Sequence, residues 1–204
     1  MRIEQHTPFV TPIFTIQYNE LKSHKQLTDE ALSLEQSKDG NVISNVGGFQ
    51  SKSFTTENRL VNKFWFEILP QVQQFISLYH IGCNYDTNLD TLWYNVNRKH
   101  NFNQTHNHPN SVVSGVYYLE TPKDSGRIAF DTPDKGLSYN PFYKTYFNNF
   151  NEYNSSKYYI KPNKGLLILF PSHIDHYVEP NNNDEPRISL AFNVQILARK
   201  NDGW

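Results

Sequence analysis

The spacing of apolar residues along the chain changes near residue 89. Before that point, Pro8–Tyr18 alternates apolar with polar residues, which predicts a half-buried strand. Two helices are predicted to follow, over Asn19–Gln36 and over Glu57–Tyr79, the second because its apolar residues recur at helical spacing. Pro70 is expected to kink this second helix or to split it in two.

From Leu89 onward, short apolar or alternating runs are separated by turn residues. Strands at this density, with no helical period between them, are typical of a β-sandwich or barrel. We therefore predict an N-terminal strand and helices over residues 1–88, a β core over residues 89–197, and a single domain over residues 1–204. The predicted core strands are Thr91–Val96, Ser111–Leu119, Arg127–Phe130, Tyr158–Ile160, Leu166–Phe170, His176–Glu179 and Arg187–Leu197.

Two stretches outside these elements are candidates for covering a functional site. Asn45–Ser51 contains Gly47 and Gly48, and we expect a glycine turn there that can approach another segment closely, with a plain connector as the alternative. Tyr139–Lys157 is a long polar and aromatic insertion, and such insertions often cover a site. Tyr139–Tyr159 and the glycine turn are therefore the candidates for substrate-facing cover.

Composition and charge narrow the classes of function. Aromatic residues make up 15% of the chain, which favours strands. A formal net charge of -1 gives no sign of a surface that binds nucleic acid. With Cys83 as its one cysteine, the chain can form neither an internal disulfide nor a cysteine-based zinc site. Because the sequence contains neither a signal-peptide pattern nor a run of roughly 20 apolar residues, we expect a cytoplasmic protein without a membrane partner.

Three histidines are candidates for binding a metal ion. His106 and His108 lie two residues apart, so on an extended backbone both imidazoles project to one face; a chance surface pair is the alternative. The buried-looking strand Leu166–Phe170 is followed by a turn that contains His173 and His176. In a jelly roll, strands distant in sequence become neighbours, so this turn can approach the first pair. We prefer His176, which begins a strand, over His173, which lies in the turn.

Arg187 begins a strand whose polar side chains share one face. Arg187 and Ser189 alternate with the apolar Ile188 and Leu190. A face that carries arginine and serine inside a barrel is unfavourable unless an anion meets it. We therefore expect a dicarboxylate, with the guanidinium on its far carboxylate and the Ser189 hydroxyl adding a bond. An exposed arginine on an edge strand is the alternative.

The order of these motifs resembles the 2-oxoglutarate and Fe(II)-dependent oxygenases, in particular a group found in bacteria and tailed phages. The similarity runs from about Asn45 to Val194 and is closest in Trp93–Phe130 and Lys164–Asn193. It implies a mainly β fold with flanking helices, namely the double-stranded β-helix, a jelly roll or cupin-like barrel. The motifs are His-X-His, Tyr-Tyr-Leu, Gly-Leu-Leu-Ile-Leu-Phe-Pro-Ser, a single His and Arg-X-Ser.

The resemblance also implies roles for individual residues. His106, His108 and His176 match the metal ligands of the catalytic centre. Tyr118 resembles the tyrosine that helps to hold 2-oxoglutarate in relatives of the prolyl hydroxylases, and Asn95 is expected either to line the same cavity or to have a structural role. The implied residues that bind 2-oxoglutarate are Arg187, Ser189, Tyr118 and Asn95.

The near histidine pair departs from the pattern usual in that superfamily. His108 stands where an aspartate is usual, so the ferrous complex would carry one more positive charge than with a carboxylate. Three interpretations are open. In the first, His108 is the third ligand, as in the three-histidine sites of cupin dioxygenases. In the second, Asp131 supplies a carboxylate from another strand, and in the third the site is degenerate. We prefer the first interpretation, because the spacing of the pair on one strand already meets the geometry.

We therefore expect a dioxygenase that uses Fe(II), 2-oxoglutarate and O₂ to hydroxylate an unidentified substrate, with release of succinate and CO₂. The substrate would be a small molecule or a protein side chain, a homodimer is compatible with the resemblance, and a phage-encoded protein would act in the host cytoplasm. Two other functions stay open: a cupin-type metal enzyme that needs no 2-oxoglutarate, and a non-catalytic jelly-roll module, such as a sugar-binding or virion accessory protein.

Overall fold

The computed structural model describes residues 3–4, 9–133, 151 and 154–199 of the chain. Two α-helices and a larger number of β-strands make up this part of the protein. Its elements, in chain order, are β1 (Phe14–Gln17), α1 (His24–Ser37), β2 (Asn45–Val46), β3 (Phe49–Gln50), α2 (Arg59–Ser77), β4 (Tyr85–Asn97), β5 (Phe102–His106), β6 (Val113–Glu120), β7 (Ile128–Asp131), β8 (Lys157–Ile160), β9 (Leu166–Pro171), β10 (His176–Val178) and β11 (Arg187–Ala198).

The strands form two antiparallel sheets that enclose a cavity between them. The larger sheet has the order β1-β9-β6-β11-β4-β3, and the smaller sheet has the order β2-β5-β10-β7-β8. Between β4 and β11 the chain crosses repeatedly from one sheet to the other, so strands that are neighbours in space are distant in sequence. The arrangement is the double-stranded β-helix, or jelly roll, that the sequence predicts.

The larger sheet packs apolar side chains on both of its faces. On the outer face, Leu169 belongs to a buried cluster that also contains Leu27 of α1 and Phe64 of α2. On the inner face, Ile168 packs in a second cluster with Phe130 of the smaller sheet. Because successive residues of a strand point to opposite faces, the continuous apolar run of β9 supplies both clusters.

The first helix is shorter than predicted, because it begins at His24 rather than at residue 19. The main-chain N–H of His24 donates to the carbonyl of Leu21 (3.0 Å), so the chain turns just ahead of the helix. The hydroxyl of Ser23 donates to a carboxylate oxygen of Glu67 (2.6 Å), which ties the start of α1 to α2. The residues before the helix therefore connect β1 to α1.

The second helix runs from Arg59 to Ser77 without a break at Pro70, so the predicted split is wrong. Pro70 is exposed, as is Phe66, whose carbonyl would otherwise accept from residue 70. Water can reach that carbonyl, and the opposite face of the helix stays packed on the larger sheet. The helix begins with Asn58, whose side chain accepts from the main-chain N–H of Leu60 (2.9 Å).

The glycine turn makes the close approach that its composition predicts. Gly47 has φ = 73°, in the left-handed region that favours glycine. A Cβ atom on Gly48 would lie 2.6 Å from the side-chain oxygen of Asn97, so the turn can lie this close to β4 only with glycine there. The turn joins the two short strands β2 and β3, which belong to different sheets.

Strand β5 is missing from the predicted elements, although it carries His106. Its sequence is Phe-Asn-Gln-Thr-His, without the apolar alternation that identifies a half-buried strand. The inward residue Asn103 is buried but polar, because it faces the cavity rather than an apolar core. The other core strands lie where the sequence predicts them, with ends that differ by a few residues, up to six for β4.

Two further predictions are only partly covered by the structure. Strand β1 is limited to Phe14–Gln17, the stretch that pairs with β9, whereas a strand was predicted from Pro8; residues 5–8 lie outside the described residues. Of the predicted insertion, residues 139–150 and 152–153 also lie outside them. Neither of the two described helices is long and apolar enough to cross a bilayer, and the cytoplasmic location stays a prediction.

Candidate metal and co-substrate site

The three predicted metal ligands lie together at one end of the smaller sheet. His106 is the last residue of β5 and His176 is the first residue of β10, and the two are paired in register. His108 lies two residues beyond the end of β5. The prediction that both histidines of the near pair lie on one strand is therefore wrong, because only His106 belongs to β5. One ring nitrogen of each histidine lies within 4.8 Å of the others, which is compatible with one ion between them.

Main-chain carbonyls orient two of the three imidazoles. Nδ1 of His106 lies 2.7 Å from the carbonyl oxygen of Gln104, and Nδ1 of His176 lies 2.9 Å from that of Ile174. Because a carbonyl can only accept, each Nδ1 carries the proton and donates it. The lone pair of each Nε2 is thereby left for a metal ion, as is usual for histidine ligands.

His108 is fixed in a different way. Its main-chain N–H donates to the carbonyl of Ser172 (2.9 Å), and its ring packs 5.5 Å from the ring of Trp93. In the part of the chain that the structure describes, its imidazole makes no side-chain hydrogen bond. The orientation of His108 therefore depends on packing and on the main chain rather than on a carbonyl partner.

Burial keeps all three imidazoles neutral. It lowers the pKa of His176 to about 3 and that of His108 to about 4, and it also lowers the pKa of His106. The neighbouring His106 adds to the lowering at His108 and His176, while the carboxylate of Asp175 opposes it at His106 and His176. Neutral imidazoles are the form that binds metal ions.

These pKa shifts predict that the metal-free protein loses stability as the pH falls. An unfolded chain protonates these histidines below pH about 6.5, whereas the folded protein resists protonation down to about pH 4 at His108 and about pH 3 at His176. The contribution of these neutral histidines to the free energy of unfolding is fully present above about pH 6.5 and decreases below it. Urea unfolding with a chelator, between pH 7 and 5.5, should give a shallower pH dependence for His108→Leu than for the wild type.

The exposed His173 offers a matched control for that measurement, because it lies in the turn before β10 and is not part of the triad. His173→Leu should keep the pH dependence of the wild type. Equal slopes for the wild type and His108→Leu would contradict the prediction.

Arg187 is buried in the same cavity as the histidines, with 2% of its surface exposed. Its Nη1 donates to the carbonyls of Ser125 and Glu179, the latter at 3.1 Å. Its Nη2 is buried without a hydrogen-bond partner among the described residues. The carboxylate of Glu179 is instead held by Arg127, at 2.7 and 2.8 Å. The buried guanidinium is therefore positioned to meet an anion.

The other three predicted co-substrate residues surround Arg187 on the larger sheet. Ser189 lies in register between Asn95 of β4 and Tyr118 of β6. The Tyr118 hydroxyl and the Asn95 side-chain oxygen are both buried without a partner in the described part of the chain. Burial raises the pKa of Tyr118 to about 12, and Arg187 opposes that shift, so the hydroxyl keeps its proton and can donate it.

Both groups of residues line one cavity, with the histidines mainly on the smaller sheet and the arginine on the larger. The seven predicted site residues line the cavity, together with Trp93, Ala191 and further residues of the inner faces of the sheets. The Arg187 Nη2 and the Tyr118 hydroxyl have no hydrogen-bond partner in the described part of the chain, and both are donors that an anion could satisfy. The arrangement fits a metal ion bound beside a carboxylate ligand; that these residues bind them stays a prediction.

Asp131, the alternative carboxylate ligand, lies outside the histidine triad. It follows Phe130, whose ring packs against His176, so its side chain points to the other face of the sheet. There its carboxylate accepts from the ammonium of Lys157. In the described part of the chain, the group of histidine, cysteine and acidic residues that could hold a metal ion is the triad alone.

Sequence reasoning missed part of the polar wall of the cavity. Asn97 donates to Asn103 (3.0 Å), which in turn donates to the hydroxyl of Ser44 (3.2 Å). All three residues line the cavity. Asn97 could have been found from the alternation Trp-X-Asn-X-Asn on β4, but Asn103 and Ser44 carry no such signal. Neither glycine of the Gly47–Gly48 turn lines the cavity, so its covering role stays a prediction.

Comparison with known proteins adds a family and a set of similar folds. A family model described as "Putative 2OG-Fe(II) oxygenase" matches residues 91–193. No protein with a curated function matches the chain by sequence.

Three solved structures illustrate the similarity of fold. A prolyl-4-hydroxylase from Pseudomonas putida has 16% sequence identity and a TM-score of 0.61, over 92% of each chain. The viral collagen prolyl hydroxylase from Paramecium Bursaria Chlorella virus-1, in complex with 2-oxoglutarate, has 14% identity and a TM-score of 0.55, over 89% of this chain and 94% of that one. HygX from Streptomyces hygroscopicus, with nickel, 2-oxoglutarate and hygromycin B bound, has 10% identity and a TM-score of 0.58, over 91% of this chain and 83% of that one.

Proposed function

Because the chain belongs to the 2OG-Fe(II) oxygenase family, we propose that it hydroxylates a substrate at a ferrous ion held by His106, His108 and His176. The reaction converts 2-oxoglutarate, O₂ and a substrate R–H into succinate, CO₂ and R–OH, so atoms and electrons balance. Bound Fe(II) supplies the oxidising chemistry, while the protein supplies position and a cavity shielded from water.

One observation carries the choice of co-substrate. Arg187 is a buried cation whose Nη2 has no hydrogen-bond partner among the described residues, and it lines the same cavity as the three histidines. A buried charge whose polar atoms are not all hydrogen-bonded is unfavourable, and a carboxylate that accepts from Nη2 would relieve this cost. A dicarboxylic keto acid can meet both ends of the cavity, because it offers one carboxylate to Arg187 and its keto acid end to the metal.

The surrounding residues would hold that co-substrate in one orientation. Arg187 would bind its far carboxylate, and the Tyr118 hydroxyl would donate to the same group. The Ser189 hydroxyl, which lies between them in the sheet, would add a third bond. The carbonyls behind His106 and His176 would keep their Nε2 atoms directed at the metal.

The same observation disfavours the two other candidate functions. A cupin-type enzyme without 2-oxoglutarate would use the histidines but would leave Nη2 of the buried Arg187 without an acceptor among the described residues. In a binding module without a metal ion, the main-chain carbonyls that orient the Nε2 atoms of His106 and His176 would have no role in binding.

The class of substrate is open to a small molecule or a protein side chain. Among the similar structures, HygX holds hygromycin B and two others are named prolyl hydroxylases. The ring of Trp93 beside His108 is a candidate contact for the substrate, since it lines the cavity next to the metal ligands. A homodimer stays a prediction.

We also propose that residues 1–204 form one oxygenase domain rather than an enzyme core with a separate N-terminal unit. The buried faces of both helices share one hydrophobic cluster with the larger sheet, which supports this proposal. The N-terminal helices would then stabilise the sheet that carries Arg187.

The test is the formation of succinate by the purified protein. With Fe(II), 2-oxoglutarate, O₂ and ascorbate, we expect succinate to accumulate even without a substrate, because ascorbate can supply the two electrons that the substrate would give. Omission of O₂, addition of a chelator, or replacement of 2-oxoglutarate by glutarate, which lacks the keto group, should each abolish the product. A protein that takes up metal but binds no 2-oxoglutarate would support the cupin alternative. A protein that takes up no metal would contradict both enzyme functions.

A further inference from the structure

A row of polar side chains crosses the inner face of the larger sheet, just beyond the residues that line the cavity. Thr91 of β4 and Ser114 of β6 are both in register with Asn193 of β11. Because successive residues of a strand alternate between faces, Asn193 points to the same side of the sheet as Ala191, which lines the cavity. Thr91, Asn193 and Ser114 are called the polar row below.

Hydrogen bonds join the polar row to Ser172, the residue directly after β9. The hydroxyl of Ser114 donates to the side-chain oxygen of Asn193 (2.8 Å) and lies 2.8 Å from the hydroxyl of Ser172. Since a serine hydroxyl has one proton, Ser172 is the donor to Ser114. The amide nitrogen of Asn193 donates to the hydroxyl of Thr91 at the longer distance of 3.4 Å. Ser114 and Ser172 are buried, so water does not compete for the bond between them.

Ser172 uses its remaining polar groups to hold the main chain around it. Its N–H donates to the carbonyl of Val112 (3.1 Å), which extends the pairing of β6 with β9 by one residue. Its carbonyl accepts from the main-chain N–H of His108 (2.9 Å). The main chain of one candidate metal ligand is thus bound to a residue whose side chain is fixed to the larger sheet.

The three candidate ligands are therefore divided between the two sheets. His106 and His176 belong to strands of the smaller sheet, and main-chain carbonyls orient their rings. His108 instead contacts the larger sheet, through its ring at Trp93 and through its main chain at Ser172. Its distance from the other two imidazoles depends on how firmly those contacts hold it.

The polar row is unusual on a face that is otherwise suited to apolar packing. Its neighbours on the inner face include Val116, Ile168 and Phe170, which belong to a buried apolar cluster. Buried hydroxyl and amide groups are unfavourable unless they are hydrogen-bonded, and a bonded network favours one arrangement over others that apolar contacts would tolerate. The bonds of Ser114 thus give Ser172 a defined position that apolar packing alone would not impose.

We propose that Ser114 and Ser172 are positioning residues of the metal centre, which fix the main chain of His108 to the larger sheet and thereby place its imidazole at the triad. The inference rests on the proposed function, because it requires a metal ion at the triad. It concerns the ligand that lacks a carbonyl partner for its ring among the described residues.

The test is the affinity of the purified full-length protein for Co(II), measured by titration without turnover. Ser114→Ala removes the hydroxyl that joins Ser172 to Asn193. We expect about 10-fold weaker binding, at the lower end of the range for loss of an outer partner of a metal ligand. Ser23→Ala is the matched control, because Ser23 is also a buried serine with a bonded hydroxyl but lies at the start of α1, away from the cavity. Its affinity for Co(II) should equal that of the wild type.

Two further measurements separate positioning of His108 from a general loss of stability. In a protein that already carries His108→Ala, adding Ser114→Ala should cause no further loss of Co(II) affinity, because the two changes act on the same ligand. The visible absorption of bound Co(II) depends on the number and geometry of its ligands. The spectrum of Ser114→Ala should shift towards that of His108→Ala, whereas Ser23→Ala should keep the wild-type spectrum.

The outcomes distinguish this inference from the proposed function. A wild-type protein that binds no Co(II) would overturn both. If the wild type binds Co(II) and Ser114→Ala keeps its affinity and spectrum, only the positioning role is overturned. The same conclusion would follow from an equal loss with and without His108, or from an equal loss in Ser23→Ala. If Ser114→Ala fails to fold, Ser172→Ala, which removes the other hydroxyl of the same bond, decides by these criteria.

Discussion

Replacing His176 with alanine is expected to lower the affinity for Co(II) by more than the roughly 10- to 100-fold that loss of an outer partner of a metal ligand causes. His176 is 4% exposed, its Nδ1 donates to a main-chain carbonyl, and it is paired in register with His106. Folding already orients the His176 ring, so metal binding loses no further side-chain entropy at this ligand. The alanine variant loses this pre-oriented ligand. Turnover of 2-oxoglutarate should fall below detection in the same variant.

His173→Ala is the matched control for this prediction. His173 lies three residues earlier, is exposed and stands in the turn before β10, so its removal should leave the Co(II) affinity unchanged. In the same titration, His108→Ala should lose less affinity than His176→Ala, because the His108 ring is not fixed by a carbonyl. If His176→Ala bound Co(II) as tightly as the wild type, the metal ion would not bind at the histidine triad.

The residues that line the cavity were easier to select from the sequence than the boundaries of the strands that carry them. Histidine and arginine are informative by residue type, so an error of a few residues in a strand boundary does not hide His106, His176 or Arg187. Strand boundaries, by contrast, depend on apolar alternation. Strand β5 lacks that alternation because its inward side chains face a polar cavity, so it was missed even though His106 lies on it.

His108 illustrates the limit of spacing arguments. The i, i+2 rule assumes that both residues belong to one strand. In the structure, His108 lies beyond the end of β5 and reaches the triad because its main chain is bound to the carbonyl of Ser172, a residue 64 positions away in sequence. Contacts of this kind depend on the tertiary fold, and neither periodicity nor composition reports them. The same holds for Pro70, where packing of the opposite helix face preserves a helix that local propensity would interrupt.

Arg187→Met is expected to weaken the binding of 2-oxoglutarate by at least about 30-fold, since loss of one partner of a buried charge pair costs about 2–5 kcal/mol. Isothermal titration of the protein with an inert metal ion bound at the triad would measure this affinity. Arg98→Met is the matched control, because Arg98 is an exposed arginine that is paired with Glu35 on α1. It should bind 2-oxoglutarate as the wild type does.

The same substitution should have a ligand-dependent effect on stability. Without the co-substrate, Arg187 is a buried cation whose Nη2 has no hydrogen-bond partner among the described residues. Its Nη1 donates to the carbonyls of Ser125 and Glu179, and Arg187→Met removes that donor whether or not the co-substrate is bound. Urea unfolding should therefore show that 2-oxoglutarate stabilises the wild type but not Arg187→Met, so that the difference in stability between the two grows when 2-oxoglutarate is added. A residue kept only for the fold would show a loss of stability that does not depend on the ligand. The stability of a binding-defective variant thus tests whether the buried charge is retained for an anion.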